Sequence, residues 1–331
     1  MLRGTAAAER SEVLSNMPVA LPEGSWALIL GGSSGFGLAT AHQLSRHGTH
    51  LCIVHRDRRG AMPRIQPEFD AIAARGVSLL AFNDDALSAE RRSAILDQLA
   101  AALGERGRVR LLLHSIAFGN LKLVAPESKR DDRARAALAR ELGLPETQLA
   151  EAVDRLFEGG EDALAALATP PEYPAEAFIE EEDLRLTIHA MGTSLLGWVQ
   201  ELNRRGMFAP DARVVGLTSE GNEVAWKGYA AVAAAKVALE SLSRAIAVEM
   251  APFGIRSNIV QAGVTDTPAL RLIPGAAQLK AAARRRNPFG RLTTPEDVAR
   301  VIHLLCLPEA AWINGDVIRV DGGEHVSGAS R

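Results

Sequence analysis

From Trp26 to Leu30 every side chain is apolar, and the run ends at Gly31 and Gly32. An unbroken apolar stretch of that length predicts a strand buried on both faces. Leu38, Ala41 and Leu44 then recur at helical spacing, Gly48 closes that helix, and Leu51–Val54 is a second short apolar run, so the segment reads as one strand–helix–strand unit. The alternation continues through Val77–Phe82, a helix around Ile95–Leu103, Val109–Leu113, a long helix around Leu184–Leu202 and Val214–Leu217. It ends with a helix over Ala230–Met250, Ile255–Val260, a helix from Pro295, and Val317–Val320. Strands that alternate with helices imply an α/β fold: one doubly wound, Rossmann-type domain with a parallel sheet of about seven strands, because parallel strands are joined only by crossovers over a face. Thr294 can cap the last helix, Pro295 suits its first position, and Val298, Val301, Ile302 and Leu305 form its apolar stripe.

One segment breaks the rhythm. Between Leu113 and Leu184 lies far more chain than the roughly 2–6 residues a strand–helix loop takes. Ala134, Ala137, Leu138 and Leu142 form one helical stripe before Gly143; Leu149, Ala152, Val153, Leu156 and Phe157 form a second before Gly159 and Gly160; Glu161–Ala168 is a short third. Pro170, Pro171 and Pro174 close the segment. The organisation expected is an N-terminal extension over 1–24 and one domain over 25–330 that carries a helical insert at about 121–176.

The chain has 331 residues, of which 47% are apolar and 23% charged, a globular composition. Its net charge of −3 offers nucleic acid or an anionic membrane no electrostatic attraction. Cys52 and Cys306 are too few for a disulfide framework or a thiolate metal site, and both fall where core thiols are expected. The first 24 residues contain Arg3, Glu9, Arg10 and Glu12 without an uninterrupted apolar stretch, and no run approaches the roughly 18 apolar residues of a membrane span. A cytoplasmic protein with a small soluble partner is the expectation.

Chemistry enters at Leu30-Gly31-Gly32-Ser33-Ser34-Gly35-Phe36-Gly37, between the first strand and the first helix. Gly31 permits a tight turn, Gly35 lets backbone approach a pyrophosphate, and Gly37 lets helix and strand pack closely, while the helix N-terminus offers free N–H groups to an anion. This places Gly31, Ser33, Ser34, Gly35, Phe36 and Gly37 in a dinucleotide site. The Gly-x-x-x-Gly-x-Gly spacing resembles the short-chain dehydrogenase/reductase family, with Leu30 where that family usually has Thr, and residues 25–325 without the insert follow its pattern. The second strand ends His55-Arg56-Asp57. A carboxylate at the family's acidic position would receive the ribose hydroxyls of NADH; here that position is His55, and Arg56 beside it suits a 2′-phosphate, so NADPH is favoured, with Asp57 keeping NADH open. The resemblance sets Asp85 and Ala86 against the adenine.

Thr218-Ser219-Glu220 ends the fifth strand, and Tyr229 and Lys236 follow at the start of a helix. Seven residues turn a helix by roughly 700°, close to two full turns, which brings tyrosine and lysine onto one face. The ketoreductases of the resembled family space these residues by four, and the residue four before Lys236 is Val232, which has no hydroxyl. The seven-residue spacing is similar to that of the family's enoyl-thioester reductases, as is His114-Ser115-Ile116-Ala117-Phe118 after the fourth strand. That resemblance implies cofactor contacts at Ser115, Ile116, Gly263, Thr265 and Thr267, and catalytic roles for Tyr229 and Lys236. His114 and His189 are expected to hydrogen-bond structurally. Where many enoyl reductases carry a second tyrosine, ten residues before Tyr229, the chain has Ser219, which is also where a ketoreductase keeps its catalytic serine.

The resemblance therefore implies NADPH-dependent reduction of the 2,3-double bond of an enoyl thioester on coenzyme A or an acyl carrier protein, in a homo-oligomer, commonly a tetramer. A carbonyl reductase using Ser219 and Tyr229 is the alternative, and a nicotinamide-binding regulatory protein without turnover is another. Arg284, Arg285 and Arg286 lie where the family places its substrate lid; they either meet an acidic carrier or coenzyme A phosphates, or form a solvated turn. No cluster of His, Cys, Asp and Glu has metal-ligand spacing.

Overall fold

The computed structural model describes residues 20–126, 133–173 and 178–328. Most of the expected N-terminal extension, and Pro174 of the insert, lie outside the described residues. The strands are β1 (Ser25–Leu30), β2 (His50–His55), β3 (Leu79–Asn83), β4 (Arg108–His114), β5 (Phe208–Ser219), β6 (Ile255–Ala262) and β7 (Val317–Val320). All pair in parallel, in the order β3-β2-β1-β4-β5-β6-β7. The direction of winding reverses between β1 and β4, so a crevice opens at the carboxyl ends of those strands.

The helices are α1 (Gly35–Arg46), α2 (Met62–Ala73), α3 (Ala89–Leu103), α4 (Arg133–Leu142), α5 (Glu146–Glu158), α6 (Glu181–Ile188), α7 (Ser194–Arg204), α8 (Ala230–Glu249), α9 (Ala276–Arg286) and α10 (Pro295–Leu305). Successive strand residues point to opposite faces. Ala27 and Ile29 join Leu51, Ile53, Leu111 and Leu113 under α1, α2 and α10, whereas Trp26, Leu28 and Leu30 join Cys52, Val54 and Leu112 under α3, α7 and α8. Both faces are thus dry, which is why β1 and β2 read as unbroken apolar runs. Cys52 and Cys306 are free and buried, and burial pushes both thiols up, that of Cys306 to about 12, so neither ionises near neutral pH.

Four elements differ from the sequence expectation, the first being α9, which occupies a segment where no helix was expected. Helix α2 was not foreseen: Pro67 inside it obscures it, and the stripe Ile65, Phe69 and Ile72, buried on the sheet, holds it in place. The long helix expected around Leu184–Leu202 is α6 and α7 joined by one π-helical turn, His189–Thr193. Gly192 in that turn would, with a Cβ, stand 2.8 Å from the carbonyl oxygen of Ala235, so the bulge lets this segment ride directly on α8 one residue before Lys236. The third insert helix shrinks to the 3₁₀ turn Asp162–Leu164. The insert has a small core of its own, Ala139, Leu149, Val153 and Ala168.

Candidate active site

The carboxyl ends of β1 to β6 surround a cavity of about 610 Å³. Its lining includes Gly31, Ser33, Ser34, Gly35, Phe36, Arg56, Asp85, Ala86, Ser115, Ile116, Ser219, Tyr229, Lys236, Gly263, Thr265 and Thr267. Gly37, also assigned to the dinucleotide site, does not line it: a Cβ there would overlap the carbonyl oxygen of Gly31, so this glycine serves the close approach of helix and loop and not direct contact.

Between strand and helix the loop suits a pyrophosphate. Gly31 has φ +87°, and a Cβ on it would lie 2.5 Å from the carbonyl oxygen of Ser115, so only glycine lets β1 and β4 meet there. Ser34 stands at the N-cap of α1 without a side-chain cap, no acidic residue occupies the first turn, and the first backbone N–H groups have no intrahelical acceptor. A dinucleotide fits this cradle. Beside Asp85 the indole of Trp198 donates to the carbonyl of Ala86 at 2.9 Å, which fixes the backbone there. The Arg56 guanidinium sits 4.6 Å above the Phe118 ring at the mouth, 3.9 Å from Asp85. Asp57 accepts from Nδ1 of the buried His55 at 2.9 Å.

At the other end Tyr229 immediately precedes α8 and Lys236 lies two turns into it. Ser219, the last residue of β5, shares a hydrogen bond of 3.2 Å with the Tyr229 hydroxyl. Burial pushes the phenol up against the smaller opposing pull of Ser219, so it stays a protonated donor near neutral pH. Nζ of Lys236 donates to the carbonyl of Leu217 at 2.8 Å. Burial draws its ammonium down to about 8, opposed by Glu240 one turn later. Glu240 also accepts from Thr218 Oγ1 at 2.5 Å and Asn222 Nδ2 at 2.6 Å, so it ties the end of β5 to α8. Val232 is buried against Ala190, Met191 and Tyr229 on the cavity wall.

His114 is buried, with Nε2 2.9 Å from Ser194 Oγ, and burial followed by Lys236 holds its pKa down at about 3. It is a neutral structural imidazole. His189 is not on the cavity; its Nδ1 lies 3.4 Å from Thr193 Oγ1. Among the described residues no group of three or more His, Cys, Asp or Glu could hold a metal ion, and no helix is long and apolar enough to cross a membrane.

Over the tyrosine end runs a lid, Thr267 to α9, whose Leu270, Leu272, Ile273 and Leu279 face the cavity. Two of the three arginines at its end, Arg284 and Arg286, are paired inside the protein, which neither reading of the run anticipated. Arg284 meets Asp162 of the insert. Arg286 meets Glu220 at 2.5 Å and the buried Glu324 at 2.9 Å, while burial pushes the Glu324 carboxyl up despite that partner. Glu220, Glu240 and Glu324 were not foreseen. The hydrogen-bond partners that hold them lie 18 to 66 residues away in the chain, and only Glu240, one turn after Lys236, carries a local cue.

The chain matches, over residues 147–325, just over half its length, a family model described as enoyl-(acyl carrier protein) reductase. The chain belongs to the short-chain dehydrogenase/reductase family. Among its curated relatives in that family, a cis-4-hydroxycyclohexanecarboxylate dehydrogenase of Sinomonas cyclohexanicum is 31% identical, over 68% of this chain and 89% of that one. A tropinone reductase homologue of Arabidopsis thaliana is 25% identical, over 93% of each. Among solved structures, an NADH-dependent enoyl-(acyl carrier protein) reductase of Aquifex aeolicus superposes with a TM-score of 0.66 at 24% identity, over 93% of this chain and 98% of that one, a likeness of fold. This member of the short-chain dehydrogenase/reductase family is accordingly an oxidoreductase built for a nicotinamide dinucleotide.

Proposed function

We propose that the protein uses NADPH to reduce the 2,3-double bond of an enoyl thioester carried by coenzyme A or an acyl carrier protein. The observation that carries this reading is the position of one phenol, Tyr229, on the cavity wall two turns ahead of Lys236, with apolar Val232 where a tyrosine one turn ahead would stand. Leu121, Met191, Trp226 and Ile273 give that end of the cavity an apolar wall suited to an acyl chain. Arg56 at the mouth favours a 2′-phosphate, and the carboxylate of Asp57, turned to His55, is already engaged.

When bound, NADPH supplies the hydride that reaches C3. Negative charge then collects on the thioester oxygen of the substrate. The Tyr229 hydroxyl, protonated and held at 3.2 Å from Ser219, donates a hydrogen bond to that oxygen where the charge develops, a contribution of about 3–4 kcal/mol for one such donor. The Lys236 ammonium would hold the ribose hydroxyls, and its charge stabilises the enolate, which takes up one solvent proton at C2 to give the saturated thioester.

A second reading is carbonyl reduction. It is favoured by the Ser219–Tyr229 hydrogen bond, the arrangement a serine–tyrosine pair would use on a ketone, and by the names of the dehydrogenase and tropinone reductase relatives. Incubation with NADPH and either crotonyl-coenzyme A or acetoacetyl-coenzyme A separates the two. The expected result is loss of NADPH absorbance with the crotonyl thioester. Loss with acetoacetyl-coenzyme A alone establishes the carbonyl reading instead, and loss with neither removes the enoyl reading.

A further inference from the structure

We propose that Asp162, in the helical insert, is a positioning residue for the lid over the acyl end of the cleft, so that the insert sets how firmly the lid closes on substrate. The role given to the lid rests on the proposed enoyl-thioester reading; the contact itself does not.

Helix α9, which ends the lid, has little to hold it by burial: its buried side chains are Ala281 and Ala283. Two alanines remove little apolar surface from water, so polar contacts must fix the helix. At its carboxyl end, Nε of Arg284 donates to Oδ2 of Asp162 at 2.6 Å and Nη2 donates to Oδ1 at 2.5 Å. This two-pronged geometry fixes direction as well as distance. At its amino end, Gln278 donates to the carbonyl of Thr169 at 3.2 Å, and Gly275, with φ +81°, lies against Pro171. The insert therefore meets α9 at both ends.

The insert's side of these contacts is itself held. Asp154 on α5 accepts from the backbone N–H of Thr169 at 2.7 Å and from its hydroxyl at 2.6 Å, so the stretch carrying Asp162 and Thr169 is fastened to the insert's small core. Two residues on from Arg284, Arg286 grips Glu220 and Glu324 of the sheet domain. The last turn of α9 is thus pinned between insert and domain. Releasing Arg284 from Asp162 frees the insert side and leaves the other in place.

Hydrogen exchange on the full-length protein tests this without any substrate. In Asp162→Asn, amides of the lid over residues 268–287 should exchange about three- to fivefold faster, the range a part-buried ion pair supplies, while α5 is unchanged and Asp162→Glu restores protection. Unchanged lid exchange overturns the proposal, and so does an equal rise in α5, which would mean that the insert has simply loosened. With whichever thioester is turned over, Asp162→Asn should raise KM by a similar factor while kcat and NADPH affinity stay within about twofold. A fall in kcat with KM constant also overturns the proposal. If no thioester is turned over, the enoyl reading fails, yet the exchange measurement still decides the contact.

Discussion

The two ends of the cleft are made of different materials. The end proposed for the dinucleotide is largely backbone: Gly31 in a left-handed conformation, Gly37 under a carbonyl, and the open N-terminus of α1. The reacting end is made of side chains from β5, α8, the lid and the insert, joined by single hydrogen bonds such as Ser219 to Tyr229 and by ion pairs such as Arg286 to Glu220. A backbone site tolerates almost no substitution at its glycines but asks little of the rest of the fold. A side-chain site is tuned one group at a time, so chemistry can change while cofactor binding persists.

That difference is open to measurement. Tyr229→Phe should lower turnover by about 10²–10³-fold, the loss of one preorganised donor, while NADPH affinity by fluorescence titration stays nearly constant. An equal loss of both would make the phenol part of the cofactor site and erase the contrast. Gly37→Ala sets the new methyl against the carbonyl of Gly31, which cannot move without shifting β1, and should cost about 1–3 kcal/mol of stability together with NADPH binding. Calorimetry showing an intact melting temperature and intact affinity would refute the backbone account.

Lys236 stands where the two ends meet, and its effect is the smallest. Its pKa is drawn down to about 8, so the free protein carries the ammonium below that pH and loses it above. If only the charged form holds the ribose, NADPH affinity is constant below about pH 8 and falls above it by at most about tenfold per pH unit. Lys236→Met should bind weakly at every pH with no such slope. A wild-type profile flat through pH 9 would detach the lysine from cofactor binding.

Much of the fold is readable along the chain because its cause is local. β1 and β2 are dry on both sides and so appear as unbroken apolar runs, and α10 displays its capping threonine, proline and apolar stripe together. Helix α2 was hidden because its internal Pro67 argues against a helix that burial of Ile65, Phe69 and Ile72 nevertheless secures. The arginines of α9 were visible as a run, but their partners Asp162, Glu220 and Glu324 come from other parts of the chain, and a charge run alone does not distinguish a buried pair from a solvated face.

By itself the sequence determined the doubly wound sheet, the glycine loop and the spacing of Tyr229 and Lys236, since each follows from the period or backbone freedom of neighbouring residues. Only the tertiary structure decided that Ser219 meets Tyr229, that Lys236 is buried enough for its charge to weaken, and that the insert grips the lid. Those facts depend on distances between elements remote in the chain, and such distances exist only once the apolar faces have packed.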